Sequence, residues 1–96
     1  MIIEIDGAKV NSVAEFHSWL ANALDLGSYY RPNLAALWDI LSVDIERPIR
    51  LVWRDSELSR RAMGDSDFSA LRDVLLRVQA QDEGFNLEER FVVMFE

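Results

Sequence analysis

The chain has 96 residues, half of them hydrophobic, which suffices for a buried core in one domain without metals or disulfides. It has no cysteine, which excludes disulfide frameworks, thiolate metal sites and cysteine nucleophiles together. A net charge of −7 is the opposite of a nucleic-acid-binding footprint and suits a cationic partner. Met1 to Asp6 reads as a strand, with Asp6-Gly7 turning the chain. Ser12-Val13-Ala14-Glu15 has the spacing of a capping box, so a helix begins there. Phe16, Leu20, Ala23 and Leu24 give that helix an apolar stripe, which ends before Gly27.

Pro32 pushes Arg31 out of helical geometry, and Asn33 can cap a second helix over residues 33–43. Pro48 closes the next connection, and Ile49-Arg50-Leu51-Val52-Trp53-Arg54 reads as a buried strand. Asp55 or Ser56 can cap a short helix through Met63, and Gly64-Asp65-Ser66-Asp67 breaks and restarts the chain. Phe68, Leu71, Val74, Leu75 and Val78 are the apolar face of a long helix that ends near Gly84. Arg90 to Phe95 is a last strand, with the near-continuous apolar run expected when both faces are covered. The order β-α-α-β-α-α-β predicts an α/β domain, a three-stranded parallel sheet with about four helices, spanning residues 1–96 as a single domain. No basic, apolar leader opens the chain, and no apolar run approaches a membrane span, so a cytoplasmic domain with no membrane partner is expected.

Catalytic chemistry finds little support. His17 stands alone on the first helix, and a structural or surface role is expected for it. The carboxylate pairs Asp82-Glu83 and Glu88-Glu89 read as solvated loop residues, and Trp19 and Trp53 as packing residues. No metal-ligand cluster, phosphate loop or triad spacing occurs, so catalytic residues, metal and cofactor are each expected to be none, and the chain reads as a non-enzyme. The second helix is more informative. At its period, Leu34, Leu37, Trp38 and Leu41 share the arc that faces the core, while Ala35, Asp39 and Ser42 lie on an adjacent stripe. Asp39 is therefore expected to point outward among small neighbours that allow close approach.

The run Tyr29-Tyr30, Asn33-Leu34, Ala36-Leu37-Trp38-Asp39 and Leu41 resembles the signature of the barstar family, intracellular inhibitors of the secreted ribonuclease barnase. Ile5-Asp6-Gly7, His17, the Leu24 to Leu26 region, Pro48 and Leu51-x-Trp53-Arg54 extend the resemblance in the same order, clearly to about Ser59. It implies that the second helix and the loop before it plug the cationic cleft of a microbial ribonuclease. Asp39 would then stand where the scissile phosphate sits, with Tyr29 as an aromatic flank, Trp38 as a shield, and Asn33 and Ser42 as polar contacts. Departures from the family pattern are Ala35 for a second acidic contact, Val43 for a glycine, Asp44 for a tryptophan, and Arg31 at a small position. The family's acidic contact on the last helix falls on Arg77 or Gln79. Asp44 and Glu46 can keep the rim acidic. The resemblance thus implies a stoichiometric immunity protein or antitoxin, monomeric when free, whose target is a ribonuclease other than barnase. The alternative is a barstar-like interaction module whose partner is not a ribonuclease.

Overall fold

The computed structural model describes residues 1–28 and 30–96. Strands β1 (Ile2–Asp6), β2 (Ile49–Arg54) and β3 (Phe91–Phe95) form one parallel sheet in the order β1-β2-β3. Helices α1 (Val13–Ala23) and α2 (Leu34–Asp39) lie between the first two strands, and α3 (Ser56–Met63) and α4 (Asp65–Gly84) between the last two. This is the predicted order of elements and the predicted α/β class.

Two right-handed crossovers that step the same way across a sheet pass over the same face. Burial follows that rule. Ile3, Ile5, Leu51, Trp53, Phe91 and Val93 are buried on the helix side. On the other side Ile2 is 63%, Val92 37% and Met94 42% exposed, while Val52 on the central strand is buried. The expectation that β3 is covered on both faces is therefore not met, because with this strand order neither connection returns across the second face.

The predicted caps are largely those seen. Ser12 Oγ accepts the Glu15 N–H at 3.1 Å, while the Glu15 carboxylate reaches back to the Asn11 N–H at 2.8 Å. Asn33 Oδ1 accepts the Ala36 N–H at 2.8 Å and starts α2. Asp55 precedes α3 in the left-handed region (φ 51°) without a side-chain cap bond. Its carbonyl lies against Gly7, where a Cβ would stand only 2.0 Å from it, so residue 7 has to be glycine.

The core is organised around Trp53, stacked on Phe16 at 5.2 Å and tilted against Phe68 at the same distance. Its indole N–H donates to Ser59 Oγ at 3.0 Å, and that hydroxyl donates to the Gly7 carbonyl at 3.1 Å. The one polar edge of the largest core side chain is thus satisfied without water.

Asp82 corrects a sequence expectation. It is helical and fully buried, and only its neighbour Glu83 is solvated. Its carboxylate takes Arg47 in a two-pronged bond, Nε to Oδ2 at 2.7 Å and Nη2 to Oδ1 at 3.1 Å, and also accepts the Phe91 N–H at 2.7 Å. Farther along β3, Gln79 Oε1 accepts the Val93 N–H at 2.9 Å. Side chains of α4 therefore occupy two of the outward donors of one edge strand, those of Phe91 and Val93. Along the opposite edge, no bond among the described residues reaches the outward N–H groups of Ile2 and Glu4.

Candidate partner-binding site

α2 does not end as a regular helix. From Ile40 to Asp44 it widens into a π-helical turn, closed by the Ile45 N–H donating to the Ile40 carbonyl at 3.1 Å. Such a turn inserts about one extra residue and is often found at functional sites. Leu37, Ile40 and Leu41 are buried beneath it. Leu34, expected in the core arc, is instead 40% exposed. It is the first helical residue, and Arg31, Pro32 and Asn33 before it are exposed too, so no core layer lies under this end.

The outward surface carries Asn33, Ala35, Asp39, Val43, Asp44 and Glu46, all exposed, with Val43 at 78%. Asp39, Asp44 and Glu46 form no ion pair among the described residues. Trp38 is half-buried, and the Arg77 guanidinium of α4 lies over its ring at 4.9 Å. Of the two register alternatives on the last helix, Arg77 thus sits beside Asp39's neighbour and Gln79 turns to β3. Ser42 lies apart from the others in kind: its Oγ is buried with no hydrogen-bond partner. Tyr29 is outside the described residues.

The acidic helix is held from behind. Gln81 Nε2 donates to the Ser42 carbonyl at 3.2 Å, and Arg47, just past the acidic stretch, is clamped by Asp82 while its Nη1 caps the Ile45 carbonyl at 2.8 Å. Burial alone would raise the Asp82 pKa; the Arg47 bond, the Phe91 N–H and the Arg47 charge outweigh it and hold the carboxyl below its usual value. The loop before α2 is tied to α1 by Tyr30, whose hydroxyl meets His17 Nδ1 at 2.6 Å. Burial lowers the His17 pKa and pushes that of Tyr30 up to about 12, so both groups are neutral near pH 7. Sequence reasoning missed this bracing because its main ties, Gln81 to Ser42, Asp82 to Arg47 and Tyr30 to His17, join residues far apart in the chain.

Chemically, the site is a ridge. The cleft of about 590 Å³ between β1 and α1, and a smaller one by β2, include no residue of α2. Among the described residues, no group of three or more His, Asp or Glu side chains could hold a metal ion. The arrangement can present unpaired carboxylates to a cation, with an apolar and aromatic border.

A family model described as "Barstar (barnase inhibitor)" matches residues 1–95. Over 95 residues the chain is 36% identical to a Bacillus subtilis (strain 168) protein named "Putative ribonuclease inhibitor YrdF", covering 98% of this chain and 97% of that protein.

Proposed function

This chain belongs to the barstar family, and on that premise we propose that it is a stoichiometric inhibitor of a barnase-like microbial ribonuclease, an immunity protein that protects the cytoplasm from a secreted toxin. Asp39 enters the enzyme's cationic cleft and replaces the scissile phosphate. The observation that carries this reading is an exposed carboxylate on a braced ridge, with no cation of its own chain paired to it among the described residues. A preformed ridge loses little conformational entropy on docking, and charge-assisted bonds strengthen as water leaves. Trp38 shields the pair, Tyr29 and Asn33 extend the contact, and Ser42 contributes through the buried turn behind it. The partner is a protein and not a nucleic acid or membrane, and the inhibitor acts as a monomer without cofactor or catalysis of its own.

Ala35, Val43 and Asp44 change the contact chemistry at the edge of the ridge, which favours a cognate enzyme other than barnase. Asp44 and Glu46 keep that edge acidic and steer encounter. The test is inhibition of a panel of small microbial ribonucleases by the wild type and by Asp39→Ala. At least one enzyme should be inhibited, with the substitution weakening binding by about 2–5 kcal/mol, a range to which measurements within this same family contributed. Thermal unfolding should be nearly unchanged, since Asp39 is exposed. If no ribonuclease binds, or Asp39→Ala binds as well as the wild type, the reading fails, and a barstar-fold module with another partner takes its place.

A further inference from the structure

The uncovered face of the sheet is anomalous. Parallel sheets are found almost only with both faces covered, because crossover connections place helices on them. Here Ile2 and Val92 flank Arg50 in register, and in the next row Glu4 and Met94 flank Val52, which is buried at the centre of the face. Ile2, Val92 and Met94 form an exposed apolar patch on what the topology leaves as a bare surface. Beside it lies a shallow cleft of about 270 Å³, lined by Ile2, Pro48, Val92 and two arginines, Arg50 and Arg90. Neither arginine pairs with a carboxylate among the described residues, in a chain whose net charge is −7. Arg90 is held in place by donating to the Leu87 carbonyl and to Asn86 Oδ1.

We propose that this face is a second docking surface, which takes an amphipathic helix of a partner protein whose apolar stripe is bordered by carboxylates. The charge argument selects this occupant over a second copy of the chain. A second copy brings no free carboxylate from this face, since Glu4 and Glu96 are both already paired with Arg54. A helix with flanking Glu residues instead covers the apolar patch and gives both arginines a bidentate partner. The surface is on the other side of the sheet from α1 and α4, so it can be occupied while α2 holds its own partner.

The probe is a designed peptide of roughly four helical turns with a leucine stripe flanked by Glu, and a control with Lys in place of Glu. Both are titrated into the isotope-labelled full chain by NMR. The Glu peptide should shift the amides of Ile2, Arg50, Val92 and Met94 and bind about ten-fold more tightly than the Lys peptide. Arg50→Glu, an exposed change that leaves the fold intact, should erase or reverse that preference. Equal binding of the two peptides, no shift of these amides at millimolar peptide, or shifts confined to α2 overturns the proposal. So does concentration-dependent dimerisation that moves the same amides, which assigns the face to a second copy. None of these outcomes depends on whether a ribonuclease binds α2.

Discussion

Arg77 changes the character of the ridge more than any other single residue. Its stack on Trp38 is worth about 0.5–1 kcal/mol at an exposed site and orders the indole beside Asp39. The same stack sets a cation next to the carboxylates proposed to steer a cationic target. Arg77→Ala should therefore raise the association rate with the cognate ribonuclease several-fold at low salt and steepen its salt dependence, as stopped-flow measurement can establish. Slower association would mean that Arg77 meets an acid on the enzyme. His17 is decisive in another way. Burial lowers its pKa below 6.5, so as the pH falls the unfolded chain takes up the proton before the folded chain does. Stability is complete above about pH 6.5 and declines below it, until the buried imidazole itself protonates. The urea midpoint should fall between pH 7 and pH 5 in the wild type, and that slope should flatten in His17→Asn. An unchanged slope would show that other groups carry it.

Among the elements, α2 and α4 act as a pair: one presents the ridge and the other holds it. Asp82 is the centre of that hold. Asp82→Ala leaves the Arg47 guanidinium, 12% exposed at its side chain, without its partner and frees the Phe91 N–H, so a loss of about 3–5 kcal/mol is expected. Equilibrium urea unfolding checks it, and a loss below about 1 kcal/mol would show that Arg47 finds water or another acceptor instead. Local signals were well read from the residues. Ser12 and Asn33 cap where their spacing says they should, because a cap depends only on the next three residues. Asp82 was not legible, since a carboxylate beside Glu83 looks solvated until Arg47, 35 positions earlier, is brought to it. The widening of α2 at Ile40 was hidden for another reason: helical arithmetic assumes a constant period, and the π turn over Ile40–Asp44 breaks it.

For the whole molecule, alternation of strand and helix signals sufficed for the α/β class and the order of elements, whereas the bare second face did not follow from composition. The apolar run in β3 suggested cover on both sides, and only the strand order shows that no helix of the described residues returns there. The ridge was legible through Asp39 and its neighbours, while the bracing behind it was not. The two margins of the sheet are also unlike, and this has a consequence for amide exchange with solvent. A backbone N–H on an outer strand ordinarily exchanges quickly, because only local fraying is needed to release it. Phe91 and Val93 stand on such a strand but donate to Asp82 and Gln79, so their protons can leave only when α4 lifts away. Deuterium should therefore enter Phe91 and Val93 about as slowly as it enters β2, while Ile2 and Glu4 on the other margin label early. The slow pair would then report the docking of α4 itself, giving a residue-level clock for the helix that holds the ridge in place.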